Sequence, residues 1–122
     1  MNVQILKNKI HQARITECEL MYEGSLGIDR DLMDAAGIIP YEKLLIVNAT
    51  NGERLETYAI PEERGSKTFC LNGAAARRGS VGDTITIMTF ASLDADTARQ
   101  FEPTIIILDE KNNIIRRKKP QG

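Results

Sequence analysis

Tryptophan does not occur in this chain of 122 residues, histidine occurs once and cysteine twice. One His with Cys18 and Cys70, which form no CxxC pair, leaves no zinc constellation, so no metal is expected. The two cysteines read as reduced thiols. Charge is nearly balanced at a formal −1, so nothing draws the whole surface to nucleic acid or anionic lipid. Long apolar runs are also missing. Ile105-Ile106-Ile107-Leu108 is far short of the roughly 20 residues that cross a bilayer as a helix. Lys7, Lys9, His11 and Arg14 interrupt the beginning, so no signal-peptide core is read there. The expectation is a soluble, cytoplasmic protein with no nucleic-acid or membrane partner. No linker, repeat or low-complexity stretch divides it, which predicts one domain over residues 1–115. Arg116-Arg117-Lys118-Lys119 then opens a basic segment, 116–122, expected to be a flexible, solvated tail.

The pattern of the remainder is that of short strands. Gln12–Thr16 alternates polar Gln12, Arg14 and Thr16 with Ala13 and Ile15, as a half-buried strand does. Ser25–Ile28 is a second short strand. Asp29 or Asp31 is placed to cap a short helix carrying Leu32, Met33 and Ala36, with Gly37 as its stop. Leu44–Val47 reads as a buried strand. Asn51-Gly52 is a hairpin signal leading into Arg54–Ile60, and Pro61 is expected to end that strand. Lys67–Leu71 is the next strand, with a turn of small residues after it. Val81-Gly82-Asp83 turns into Thr84–Phe90. Ser92 is read as the cap of a helix near Asp94–Arg99, and Thr104–Leu108 with Asn113–Arg116 as a last hairpin. Many short strands, close turns and two short helices indicate a mainly β barrel or sandwich.

Tyr22-Glu23-Gly24-Ser25 carries the chemistry. A serine hydroxyl stands one residue after a glycine carbonyl. If the fold brings them together, Ser25 Oγ attacks that carbonyl and the amide becomes an ester. Gly24, without a Cβ, lets the backbone bend and be approached closely. Elimination across Cα and Cβ of residue 25, followed by hydrolysis with loss of ammonia, leaves a pyruvoyl ketone at the new N-terminus. Most Gly-Ser pairs are ordinary turns, so the reading depends on what accompanies this one.

The accompaniment is considerable. On a strand, Arg54, Glu56, Tyr58 and Ile60 share one face and Thr57 takes the other. A guanidinium fork suits a carboxylate, and Tyr58 offers a phenolic proton near it. Lys9 and His11 likewise alternate onto one face. Asn72-Gly73-Ala74-Ala75-Ala76 is a turn of small residues that lets backbone N–H groups approach a ligand. Each feature alone has a bland reading as polar surface or tight packing.

Together, Lys9-Ile10-His11, Tyr22–Ser25, Thr50–Arg54 with Thr57–Ile60, Glu63-Arg64-Gly65-Ser66 and Asn72–Ala76 resemble the bacterial aspartate 1-decarboxylase family, from about Leu6 to about Ile115. The resemblance implies a six-stranded double-psi β-barrel with short helices, assembled as a homotetramer with sites between subunits. It implies a covalent pyruvoyl group made from Ser25 by self-cleavage after Gly24, and neither metal nor pyridoxal phosphate. The implied reaction takes L-aspartate to β-alanine and carbon dioxide, for pantothenate. Carried over by position, Ser25 becomes the amine-condensing group, Tyr58 the proton donor and Thr57 an aid to self-cleavage. Lys9, Arg54, Asn72, Gly73, Ala74 and Ala75 bind substrate, and His11 and Tyr22 line the site. No catalytic role falls to the Glu63–Ser66 loop. Some members carry an aromatic where this chain has Val47, which leaves the pocket lining there unassigned. Whether cleavage needs a maturation partner stays open. So do two alternatives: a pyruvoyl decarboxylase for another amino acid, and a noncatalytic barrel that remains one intact chain.

Overall fold

The structure is a computed structural model and describes residues 1–120. Its first strand, β1 (Asn2–Arg14), is far longer than the alternation of Gln12–Thr16 suggests. A bulge explains why the outer half was not legible. The register against a later strand slips between Ile10 and Ala13, and Gln12 sits at φ 63°. The extra residue keeps both Ile10 and Ala13 facing inward and fully buried. β2 (Glu17–Glu19) follows, then β3 (Ser25–Asp29).

Asp29, and not Asp31, caps α1 (Arg30–Ala36), accepting from the Asp31 N–H at 2.8 Å. Gly37 ends the helix in the left-handed conformation, as its sequence position predicts. β4 (Lys43–Asn48) and β5 (Arg54–Glu62) form the antiparallel hairpin signalled by Asn51-Gly52. Pro61 does not end β5. The strand runs on to Glu62, with Pro61 opposite Ile28 of β3. Pairing with β4 ends at Tyr58, so the missing proline N–H falls on a side with no ladder to break.

β6 (Phe69–Asn72) is shorter than Lys67–Leu71 implied at its start, because Lys67 stands at φ 60°. The small residues after it form a 3₁₀ helix, Gly73–Arg78, and not a simple turn. β7 (Thr84–Asp94) runs past Phe90 and absorbs Ser92. Asp94 therefore caps α2 (Ala95–Gln100), taking hydrogen bonds from both the N–H and the hydroxyl of Thr97. β8 (Thr104–Leu108) and β9 (Ile114–Lys118) close the chain. Arg116–Lys118 are paired with β8, so the basic segment is not a frayed tail from residue 116. Residues 121–122 of that segment lie outside the described residues.

The strands pair in the order β2-β6-β3-β5-β4-β7-β1-β8-β9. The fold is mainly β with short helices, as expected. The described residues form nine strand segments whose series of pairings is open at β2 and β9, an arrangement compatible with the barrel that the resemblance implies. Inward residues of successive strands meet in one core that includes Ile10, Leu26, Leu44, Ile46, Phe69 and Ile87. Each such side chain contributes about 1.5–3 kcal/mol by leaving water. All five residues of β3 are buried, since β5 and β6 flank it. That burial brings the chemical dipeptide to the edge of the core. No helix among the described residues is long and apolar enough to cross a membrane.

Candidate active site

Ser25 opens β3 and is completely buried, whereas Gly24 before it is exposed. The antiparallel register sets Ser25 opposite Asn72, the last residue of β6. Across that pair the Asn72 amide donates from Nδ2 to Ser25 Oγ at 3.0 Å. Ser25 Oγ in turn donates to the Glu23 carbonyl at 3.2 Å. Asn72 is itself buried, and its Oδ1 accepts from the Cys70 thiol at 3.1 Å. Burial pushes the Cys70 thiol up to about 11, with the carboxylates of Glu17 and Glu62 adding to the effect. Cys70 was not legible as a site residue, although a signal existed. It precedes Asn72 by two positions, and period two puts both on one face of β6.

Gly73 is where the backbone leaves no room for a side chain. A Cβ on Gly24 would meet nothing within 4 Å. Gly73 stands at φ 64°, and a Cβ there would come within 2.6 Å of the Tyr22 carbonyl oxygen and 2.7 Å of the Gly24 nitrogen. Apart from its chain neighbours, the backbone that Gly24 meets closely is that of Gly73, across the turn. Of the small residues that follow, Ala74 is exposed and Ala75 packs in the core. Tyr22 is exposed beside the cleavage point.

Leu26 pairs with Ala59 in the parallel ladder of β3 and β5. Thr57 and Tyr58 precede Ala59 on β5, as Gly24 and Ser25 precede Leu26. Thr57 and Tyr58 are both half-buried. The Tyr58 ring lies 6.2 Å from that of Tyr41, tilted by 35°. Arg54 is exposed at the start of β5, on the face of Glu56 and Tyr58, and its carbonyl accepts from Arg78 at 3.3 Å.

Lys9 and His11 stand on β1, separated from β3 in the sheet by β5, β4 and β7. They share a half-buried face, with His11 Nδ1 3.3 Å from the Thr86 hydroxyl. Burial and the nearby Lys9 charge hold the His11 ring below its ordinary pKa, so it is neutral at pH 7. The structure thus brings Ser25 to Asn72 and Gly73 to Gly24, sets β5 with Thr57 and Tyr58 beside β3, and leaves Lys9 and His11 in another part of the sheet. No group of three or more His, Cys, Asp or Glu side chains among the described residues could hold a metal ion.

The Glu63–Ser66 loop has a structural explanation. Asp29 is fully buried, and its carboxylate accepts from the backbone N–H groups of Gly65 at 3.0 Å and Lys67 at 2.8 Å, besides that of Asp31. Arg64 then bridges Asp31 and Asp34, each at 2.8 Å, and the pairing holds the Asp34 carboxyl below its ordinary range.

A buried serine after an exposed glycine, with an amide donor on its oxygen and a second glycine close to the Gly24 nitrogen, suits a protein that acts on its own backbone. The family model described as aspartate decarboxylase matches residues 1–115. The aspartate 1-decarboxylase of Hyphomonas neptunium is 52% identical over 116 residues, covering 95% of this chain and 98% of that protein. That of Maricaulis maris is 48% identical over 122 residues, covering 100% and 99%. That of Salinibacter ruber is 47% identical, covering 95% and 80%. The chain belongs to the aspartate decarboxylase family.

Proposed function

We propose that this chain is the precursor of a pyruvoyl-dependent aspartate 1-decarboxylase, a lyase that makes β-alanine for pantothenate. The observation that carries the reading is Ser25, wholly buried, with the Asn72 amide donating to its oxygen and the scissile Gly24 immediately before it. In the first step Oγ bonds to the Gly24 carbonyl carbon as its proton leaves. The adduct collapses, the Gly24–Ser25 C–N bond breaks and the freed nitrogen takes a proton. Loss of the Cα proton then expels the Gly24 carboxylate from Cβ. Water adds at Cα, ammonia departs and a ketone remains. Thr57, on β5 beside β3, is assigned to assist the first step.

The residues fit such a group, because Asn72 keeps a donor at position 25 and Gly73 leaves the backbone close around it. The pyruvoyl carbonyl supplies the electron sink for loss of the α-carboxylate. Arg54 and Lys9 bind the two carboxylates of L-aspartate, and neutral His11 and Tyr22 line the site. Backbone groups of Asn72–Ala75 hold the substrate, and Tyr58 returns the proton to the carbon that has lost carbon dioxide.

A homotetramer with sites between subunits is part of the proposal. Two observations support it. Lys9 and His11 lie strands away from Ser25 within one chain, and Leu20, Met21, Tyr22, Ile39, Tyr41, Val81 and Phe90 are exposed apolar residues in want of cover. The cytoplasm is the proposed location, in keeping with two free thiols. Intact-mass spectrometry tests the reading. The wild type should yield a piece ending at Gly24 and a piece beginning at residue 25 that is lighter by one ammonia. Ser25→Ala should stay a single chain of 13.6 kDa. Cleavage persisting in that variant would sink the self-processing mechanism.

A further inference from the structure

We infer that Cys70 is a positioning residue for self-cleavage, its thiol fixing which end of the Asn72 amide faces Ser25. The inference rests on the self-processing reading above. An amide side chain has an acceptor at one end and donors at the other. Ser25 cannot choose between them, because a hydroxyl both donates and accepts. Cys70 can. Its S–H donates to Asn72 Oδ1 at 3.1 Å, and a thiol sulfur is only a weak acceptor for the opposite orientation. The burial that raises the thiol pKa to about 11 keeps that proton in place at neutral pH. Three hydrogen bonds then run in one direction: Cys70 to Asn72, Asn72 to Ser25 at 3.0 Å, and Ser25 to the Glu23 carbonyl at 3.2 Å. Cys70, Asn72 and Ser25 are all buried, so water does not scramble the order.

The direction matters when Ser25 reacts. As the Oγ proton leaves, negative charge grows on Oγ, until bonding to the Gly24 carbon passes it to the Gly24 carbonyl oxygen. With the amide held as observed, the charge meets an N–H. With the amide reversed, it would meet a carbonyl oxygen and be opposed. The overall proton balance is unchanged, since the proton lost from Oγ is matched by one gained at the departing nitrogen. Cys70 touches no reacting atom and acts only through Asn72.

The test compares the cleavage rates of freshly made precursor, followed by intact mass, in wild type, Cys70→Ala and Cys70→Ser. Losing one modest hydrogen bond should slow Cys70→Ala roughly five- to ten-fold. Cys70→Ser offers a hydroxyl that serves either end of the amide, so it should stay slower than wild type, as Cys70→Ala does, while both variants melt within a few degrees of each other. Wild-type speed in either variant would overturn the assignment. A second readout does not need the alanine variant to fold. In Cys18→Ser protein the only remaining thiol is Cys70, and its infrared S–H band should shift upward when Asn72→Ala is added. An unmoved band overturns the contact. A wild type that never cleaves overturns self-processing itself, whereas a cleaving wild type with an indifferent Cys70→Ala overturns only this role.

Discussion

Gly73 faces the backbone of Gly24 so closely that a Cβ on it would stand 2.7 Å from the Gly24 nitrogen. Since Gly73 also stands at φ 64°, a side chain there is strained twice, by conformation and by contact with backbone that cannot rotate away. Gly73→Ala should therefore lower stability by about 1–3 kcal/mol and displace the Gly24-Ser25 bond. Gly24→Ala meets open space and should melt within about 0.5 kcal/mol of wild type in the uncleaved Ser25→Ala background. Thermal unfolding of both variants in that background checks the pair. An equal effect would remove Gly73 as the clamp on the cleavage point.

Asp29 ties three segments together through the N–H groups of Asp31, Gly65 and Lys67. Its carboxylate has no exposure to water, so Asp29→Ala orphans buried backbone donors as well as losing charge-assisted bonds. A loss of about 3 kcal/mol or more is expected, read as a drop of roughly 10 °C in Tm. Arg64→Ala removes only surface bridges to Asp31 and Asp34 and should cost less than about 1 kcal/mol. Comparable losses in the two variants would mean that the Glu63–Ser66 loop is held by Arg64 and not by Asp29.

The sequence carried the elements whose cause is local. Gly37 stops α1, Asn51-Gly52 turns the β4–β5 hairpin, and Ser25 begins a buried strand, each as its neighbours predict. What failed was decided across the fold. Pro61 stays in β5 because β4 has already stopped pairing there. Ser92 stays in β7 because that strand runs on opposite β1, with Gln4 as its partner. Around Ser25, the family resemblance named Asn72 and Gly73. It could not name Cys70, which is known only by the amide it touches, nor the backbone of Tyr22 and Gly24 that Gly73 faces.

Cys70 also predicts a pH dependence. Its pKa is raised on folding from 9.0 to about 11, so between those values the folded chain holds a proton that the unfolded chain has released. Stability from this group is present below pH 9 and is lost as pH rises toward 11. In a Cys18→Ser background, Tm should fall more steeply over that interval than in the same chain carrying Cys70→Ser, whose hydroxyl does not titrate there. Parallel curves would mean that the thiol is not held in its neutral form.

Tyr58 separates making the ketone from using it. Its ring packs against Tyr41 at 6.2 Å, and its backbone is fixed by pairing with Lys43, so Tyr58→Phe keeps both supports and deletes only the hydroxyl. The proposed cleavage uses Ser25, the Gly24 carbonyl and the Asn72 donor, and the Ser25 hydroxyl is bonded to Asn72 and the Glu23 carbonyl, not to Tyr58. The variant should therefore cleave at the wild-type rate and carry the same fraction of pyruvoyl by mass. Turnover is different, because the carbon that loses carbon dioxide must take up a proton from a placed acid. A general acid contributes about 10²–10⁴-fold, and β-alanine formation should fall by that order with KM for aspartate little changed. The two measurements belong on one preparation. Turnover near wild type would take the proton-donor role from Tyr58, and an uncleaved chain would move the residue from turnover into maturation.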